Sequence, residues 1–314
     1  MSERPLRGKP TTGVLLMAHG APDSAADIPK YLKNIRGGTE SSPEVVRLIT
    51  ERYEAIGGSS PLLQITRAQA AALQSFLDRN SKRDFKVYFG MRNWSPYIRD
   101  VAKVMLEDGI DRILAICLAP QYSRWSGELY FKALREALKP LSAEVEVRSV
   151  AGWARHPLLI DAFASRYDAA VEKLRVEGKD DVYVVFTAHS IPADSIDMGD
   201  PYAGEYEGTV QAVVERVKPR RWMRAYQSQG MIPVPWLGPR VENALDKIAH
   251  IGSKHALIFP VGFVSDHIEI LYDIDVGFKG YAAARKLSLS RVESLNLSPQ
   301  FIETLAALVW EQTI

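Results

Sequence analysis

The stretch VVFTAHSIP, residues 184–192, decides the fold: apolar and β-branched residues run up to a histidine, a small residue and a proline. Such a run is typical of a strand buried on both faces of a parallel sheet. A similar stretch, LLMAHGAP, occupies residues 15–22. A buried strand that ends in Ala-His-small-x-Pro therefore occurs in each half of the chain, and this predicts two related halves.

Further apolar runs alternate with amphipathic helical stretches, which is the pattern of βαβ units and parallel sheets. The predicted strands are residues 13–18, 85–90, 112–118, 144–150, 182–188, 222–227 and 255–261. The predicted helices are residues 43–56, 61–80, 97–107, 127–138, 157–174, 205–217, 239–249 and 299–311. We divide the chain into residues 1–160 and 161–314, with the C-terminal helix free to pack back on the first half. Residues 279–298 lack a clear period, and we expect a helix followed by a loop.

Composition excludes several classes of protein. The chain of 314 residues has a net charge of +1, so it lacks the basic field of a nucleic-acid-binding protein. Residues 1–12 are polar, and no window is apolar enough for a transmembrane helix, so we expect a cytoplasmic protein. The single cysteine, Cys117, excludes an internal disulfide and a cysteine-ligated iron–sulfur cluster.

Two features carry chemistry. His189 directly follows a buried strand, where an imidazole can act as a base near neutral pH or bind a metal such as Fe²⁺. In the run SDHIEILYDID, residues 265–275, a helix would place Asp266, Glu269 and Asp273 on one face. Carboxylates in such a row repel each other, so among apolar neighbours they indicate a place for a cation or a proton.

The chain resembles the ferrochelatases over nearly its whole length. The motifs that carry the resemblance are AHSIP at 188–192, GDPY at 199–202, QS at 227–228, PWLGP at 235–239 and PVGFVSDHIE at 260–269. The resemblance implies a chelatase-like α/β fold with two similar domains, each a four-stranded parallel sheet flanked by helices, and a porphyrin cleft between them. It also implies a lyase of haem biosynthesis that inserts Fe²⁺ into a porphyrin, with His189 and Glu269 at the metal site and Asp273 as an accessory residue.

Metallation of a porphyrin explains why such a pair is needed. The reaction removes two pyrrole N–H protons and strips water from the iron, so a base and a metal ligand must meet at one face of the ring. His189 either accepts protons or holds iron, and Glu269, with Asp273 behind it, either conducts protons away or guides the metal. Iron is then a substrate, and no prosthetic group is expected.

The N-terminal half bears on which porphyrin is used. Only a short, charged connection links residues 35–38 to residues 52–62, as in the coproporphyrin III ferrochelatases that this chain resembles. We therefore expect coproporphyrin III as substrate and coprohaem as product, with protoporphyrin IX as the alternative. The resemblance to these enzymes, and side chains that can donate hydrogen bonds to a carboxylate, indicate five partners for the propionates. These are Arg36, Arg52, Tyr53, Ser60 and Tyr130.

One residue departs from the resemblance. His19 stands where the coproporphyrin enzymes have a tyrosine that touches the product iron. Its position at the matching strand end predicts that it reaches the porphyrin face opposite His189 and coordinates the iron of the product. The alternative is a structural histidine that bonds the backbone. Gly277 likewise replaces a carboxylate of an outer metal site, so no outer magnesium site is expected.

Three other functions fit parts of the sequence. A cobalt or nickel chelatase shares the fold, a haem-binding protein without turnover would keep the cleft, and a periplasmic-type ligand binder has two α/β domains. The Glu269 and PWLGP motifs disfavour the first, the intact His189 and Glu269 disfavour the second, and the lack of a signal sequence disfavours the third. We expect a monomer whose partners are the porphyrin, Fe²⁺ and a transient haem acceptor, with no nucleic acid.

Overall fold

The computed structural model describes residues 12–141, 145–230 and 232–313. The N-terminal polar segment up to residue 11 and residue 144 of a predicted strand lie outside these ranges. The strands are β1 (Thr12–Ala18), β2 (Phe85–Met91), β3 (Arg112–Cys117), β4 (Glu146–Val150), β5 (Val182–His189), β6 (Trp222–Gln227), β7 (His255–Phe259) and β8 (Ser288–Arg291).

The helices of the first half and its connection are α1 (Ile28–Ile35), α2 (Pro43–Ala55), α3 (Leu62–Asn80), α4 (Ile98–Glu107), α5 (Gly127–Leu138) and α6 (Pro157–Val176). Those that follow are α7 (Asp194–Asp197), α8 (Tyr202–Val217), α9 (Val241–His250), α10 (Ile268–Leu271), α11 (Lys279–Ala283) and α12 (Pro299–Glu311). A π-helical segment, Asp273–Phe278, continues from α10 into α11.

The strands form two parallel sheets with the same topology. Their orders are β2-β1-β3-β4 and β6-β5-β7-β8, so β1 and β5 take equivalent inner positions. All pairings are parallel, which confirms the predicted chelatase-like class with a four-stranded sheet in each half. Because strands in a parallel sheet end at the same edge, His19 and His189 emerge at matching edges of the two sheets.

The expectation of a helix and then a loop over residues 279–298 was wrong in its second part. After α11 the chain forms β8, which pairs with β7 from His255 opposite Ser288 to Ile258 opposite Arg291. Helix α1 was also not predicted. It buries Ile28, Tyr31 and Leu32, and the hydroxyl of Tyr31 lies near His19.

One apolar core joins the two halves. Leu16 of β1, Phe163 of α6, Phe186 of β5 and Phe301 of α12 are members of a single buried cluster. Helix α12 packs on both α3 and α6, so the C-terminal helix does return to the first half. The domain boundary near residue 160 stays a prediction.

We expect Phe301→Ala to lower the free energy of unfolding by about 3–5 kcal/mol, because the ring is fully buried and stacks on Trp153 at 6.2 Å between centroids. Urea denaturation followed by tryptophan fluorescence and by circular dichroism measures the change. The exposed Glu303 on the same helix supplies the control, Glu303→Ala, which should change stability by less than about 0.5 kcal/mol. A loss below about 1 kcal/mol for Phe301→Ala would contradict the shared core.

Candidate active site

The end of strand β5 fixes the position of His189. The backbone carbonyl of His189 accepts a hydrogen bond from the Tyr202 hydroxyl at 2.8 Å. The next residue, Ser190, donates its N–H to the Gln227 carbonyl at 2.8 Å and its hydroxyl to the Leu237 carbonyl at 2.9 Å. The strand end is thus tied to residues of three other motifs, GDPY, QS and PWLGP, and this fixes the position of the imidazole.

The loop from β7 to α10 brings Glu269 to this strand end, and Gly262 makes the approach geometrically feasible. A Cβ atom at Gly262 would lie 2.6 Å from the Ala188 Cα, and the Gly262 N–H donates to the Thr187 carbonyl at 3.0 Å. Only glycine allows two backbones to come this close. The carbonyl of Glu269 itself accepts from the Gln227 side chain at 2.8 Å.

Glu269 lies between two imidazoles. One carboxylate oxygen is 3.3 Å from His189 Nε2, and the other is 3.3 Å from His267 Nε2. The Nδ1 atoms of His189 and His267 face the carbonyls of Ser190 and Ser265, which accept hydrogen bonds but cannot donate them. Each Nδ1 therefore carries a hydrogen, and each Nε2 is the nitrogen that exchanges a proton beside Glu269.

The electrostatics of this cluster follow from the shared carboxylate. Burial is the largest single effect and would lower the pKa of His189 and of His267, but the charge of Glu269, the hydrogen bond to it and the backbone hydrogen bond at each Nδ1 together raise both. Burial would raise the pKa of Glu269, and the two imidazoles outweigh it and hold that pKa well below its ordinary range. Glu269 is therefore ionised and lies beside two imidazoles that can take up a proton, as a site of proton transfer or metal exchange requires.

Asp273 extends the cluster into a side cavity of about 310 Å³. Its Oδ2 accepts from the Ser228 hydroxyl at 2.5 Å, and its Oδ1 lies 3.8 Å from Arg52 Nη1. Burial raises the pKa of Asp273, and the nearby charge of Glu269 adds to that rise. Asp273 is the first residue of the π-helical segment, a distortion common at functional sites.

The predicted row of three carboxylates was wrong in one member. Helical structure begins only at Ile268, so Asp266 lies outside the helix. The Asp266 carboxylate instead accepts from Ser294 at 2.7 Å and from Asn296 at 2.8 Å, and it pairs with Arg291 at 3.3 Å. Asp266 therefore anchors the loop that carries Glu269 and does not face the cation or proton site.

The structure separates the predicted propionate partners. Arg52 borders the cavity beside Asp273, while Arg36 is exposed after α1 and donates to Ser41 at 3.2 Å. Ser60 is 4% exposed and accepts from the Leu62 N–H at 3.3 Å, at the start of α3. That helix begins at Leu62, one residue later than predicted.

The two predicted tyrosines are both core members. Tyr53 is 1% exposed and packs with Ile28 and Leu32, and Tyr130 is 5% exposed with the guanidinium carbon of Arg92 5.7 Å from its ring centroid. Burial raises the pKa of both hydroxyls, so both are neutral donors. Their contact with a propionate stays a prediction.

His19 is neutral and has a hydrogen-bond partner at each ring nitrogen. Its Nε2 is 3.0 Å from the Asn93 amide nitrogen, and its Nδ1 is 3.1 Å from the Tyr31 hydroxyl and 3.2 Å from the Gly20 carbonyl. Burial lowers the pKa of His19 to about 4. Coordination of product iron by His19 stays a prediction, and any iron must compete with Asn93 for Nε2.

Sequence reasoning missed three residues of this site: His267, Tyr31 and Asn93. The signal for His267 was its position two residues before Glu269 in the same motif. Tyr31 falls on the buried face of α1, and Asn93 lies two residues after the end of β2. Among the described residues, no three His, Cys, Asp or Glu side chains are arranged as a metal site, and no helix is long and apolar enough to cross a membrane.

Comparisons with known proteins bear on the family and the fold. The family described as "Ferrochelatase" matches residues 11–313. The chain is 39% identical over 299 residues to a "Ferrochelatase" of Deinococcus radiodurans, covering 95% of this chain and 94% of that protein. It is 36% identical over 306 residues to a "Coproporphyrin III ferrochelatase" of Oceanobacillus iheyensis, covering 97% of each. The structure of SirB from Bacillus subtilis with Fe³⁺ superposes with a TM-score of 0.60 at 11% identity, covering 96% of this chain and 95% of SirB, so this likeness concerns the fold.

We expect Glu269→Gln to destabilise the protein more at pH 6 than at pH 9. The folded pKa values of His189 and His267 are raised by Glu269, so their stabilisation is fully present below the unfolded value of about 6.5 and is lost as pH rises through the folded values. The free energy of unfolding of wild type and variant, measured by urea denaturation across this range, gives the difference. Glu303→Gln on the exposed face of α12 is the control. A difference that does not change with pH would refute the shared charge.

Proposed function

The chain belongs to the ferrochelatase family and acts as a ferrochelatase of haem biosynthesis, and we propose that it inserts Fe²⁺ into coproporphyrin III at the pair His189–Glu269. The observation that carries the assignment of the pair is the contact of 3.3 Å between His189 Nε2 and the Glu269 carboxylate at the strand end. This contact joins a nitrogen base and a carboxylate ligand at one point of the cleft.

The proposed reaction exchanges Fe²⁺ for the two pyrrole N–H protons, so two protons must leave for each iron bound. His189 Nε2 faces Glu269 while its Nδ1 is bonded to the Ser190 carbonyl, so Nε2 is the atom that accepts a pyrrole proton. Glu269 stays ionised and stabilises the imidazolium that forms on His189. Asp273, whose burial raises its pKa, then takes the proton to the side cavity.

Two features of the site serve the metal. Imidazole nitrogen and carboxylate oxygen are both ligands for Fe²⁺, so the pair can replace the water that iron loses on entry. His267 holds the second oxygen of Glu269 at 3.3 Å and so keeps the first one aimed at His189. Iron is a substrate in this proposal, and no prosthetic group takes part.

Coproporphyrin III is the proposed ring because its four propionates need more donors than the two of protoporphyrin IX. Ser60 uses its oxygen to accept from the Leu62 N–H, and the described residues take no hydrogen bond from its proton. Arg36 is exposed and is bonded to a neutral serine rather than to a carboxylate. A relative that bears the coproporphyrin name is 36% identical over 97% of this chain, which supports the proposal.

We expect His189→Ala to lower the rate of metal insertion by about 10²–10⁴, because it removes the base at the cleft. Anaerobic insertion of Fe²⁺ followed by porphyrin absorbance measures the rate, and fluorescence quenching checks that the variant still binds porphyrin. His250→Ala, an exposed histidine after the core residues of α9, is the control and should act as wild type. Turnover above about a third of wild type would remove His189 from the mechanism.

We expect coproporphyrin III to exceed protoporphyrin IX in kcat/KM, and Arg36→Ala or Arg52→Ala to narrow the preference. A charged hydrogen bond contributes about 1.5–3 kcal/mol, enough for a tenfold preference or more. Arg47→Ala is a matched control, since Arg47 is also exposed but pairs with Glu51 at 2.6 Å on α2. Equal or better use of protoporphyrin IX by the wild type would refute the choice of ring and leave the ferrochelatase assignment intact.

A further inference from the structure

The surroundings of His19 determine what its lone pair can do. The Gly20 carbonyl, at 3.2 Å from Nδ1, only accepts hydrogen bonds, and the Asn93 amide nitrogen, at 3.0 Å from Nε2, only donates them. A neutral ring satisfies both contacts when Nδ1 carries the hydrogen and Nε2 carries the lone pair. This is the tautomer that binds metals through Nε2, and here that lone pair already holds a proton donor.

Asn93 is fixed in this position from several sides. Its backbone N–H donates to the His19 carbonyl at 3.0 Å, and its own carbonyl accepts from the Asn34 side chain at 3.0 Å. The Asn93 side chain is 5% exposed, so no open solvent competes for its amide. The hydrogen bond to His19 is therefore preorganised and is not a chance surface contact.

Helix α1 holds the same pair from the other side. It carries both Asn34 and Tyr31, and the Tyr31 hydroxyl donates to the Gly20 carbonyl at 3.0 Å while it lies 3.1 Å from His19 Nδ1. The imidazole is therefore oriented at both nitrogens before any ring enters.

We infer that Asn93 is a positioning residue that weakens the bond between His19 and the iron of the metallated product, because its amide occupies the Nε2 lone pair that the iron must use. The inference rests on the proposed function and on the prediction from the sequence that His19 reaches the iron of the product. Iron and the amide proton compete for one lone pair, so iron binds His19 only after the hydrogen bond breaks. A free imidazole would hold the product more firmly, and Asn93 thus favours its release.

The size of the effect follows from the hydrogen bond that iron must displace. A neutral hydrogen bond contributes a net factor of about two- to tenfold in an equilibrium. Asn93→Ala leaves Nε2 free, so the ferric product should show a larger fraction of imidazole-ligated, low-spin iron and should dissociate about two- to tenfold more slowly. Asn93→Asp should do the reverse, because a carboxylate at this position favours a protonated Nε2, which cannot bind iron.

The experiment loads purified wild type and variants with ferric coproporphyrin III and measures the absorption spectrum and the rate of transfer to an excess of a haem-scavenging protein. The variants are Asn93→Ala, Asn93→Asp, His19→Ala and the double variant with Ala at both positions. Asn80→Ala is the matched control, since Asn80 also donates one side-chain hydrogen bond, to the Phe76 carbonyl at 2.8 Å, far from the cleft at the end of α3.

Opposite shifts for Asn93→Ala and Asn93→Asp, with the effect of Asn93→Ala abolished in the double variant, are the expected results. Equal shifts for both, or a slowed release that persists without His19, would overturn the inference, since a merely structural residue behaves that way. A wild-type spectrum and release rate for His19→Ala would also overturn it, because His19 would then not touch the iron. The His189→Ala assay is independent of these results, so a failure here is distinguishable from a failure of the proposed function.

Discussion

The approach of the Gly262 backbone to Ala188 is the constraint on which the site depends. With no Cβ between them, the loop after β7 can hydrogen-bond to the end of β5 at Thr187 and then turn back along the cleft. Any larger residue at 262 would push the loop outward, and Glu269, seven residues later, would move with it. The course of the backbone therefore brings the Glu269 carboxylate to within 3.3 Å of the His189 imidazole, although the two residues belong to different elements.

The loop places one carboxylate, Glu269, between two imidazoles, His189 and His267, and this arrangement determines the protonation of the site. In a single His–Glu pair, one proton shared between the two groups could neutralise the carboxylate. Glu269, however, has a second imidazole, His267, at 3.3 Å from its other oxygen. The carboxylate therefore stays ionised, although its side chain is only 31% exposed. An ionised carboxylate held ready in this way needs little rearrangement when a cation or a proton arrives, which is the advantage of a preorganised site.

Much of the fold could be read from the sequence, because inner strands such as β1 and β5 are continuous apolar runs, and seven of the eight strands in the described residues coincide with predicted ones. Strand β8 was missed because Ser288-Leu289-Ser290-Arg291 is short, polar and at a sheet edge. Helix α1 had a readable period in Ile28, Tyr31, Leu32 and Ile35 but only eight residues. The pair His189–Glu269 came from a resemblance, and the structure brings the two together.

The remaining parts of the site lay beyond pattern reasoning because they depend on where a helix begins. Spacing alone placed Asp266 in line with Glu269, yet the helix starts at Ile268 and Asp266 turns to Asn296 and Ser294. The contacts of Asn93 and Tyr31 with His19 cross from β2 and α1 to β1, and no local period encodes such a crossing. The core that runs through both halves has a mechanical consequence: lobes joined by a flexible hinge yield when they are pressed apart, whereas lobes that share one packed core through α3, α6 and α12 resist such a separation.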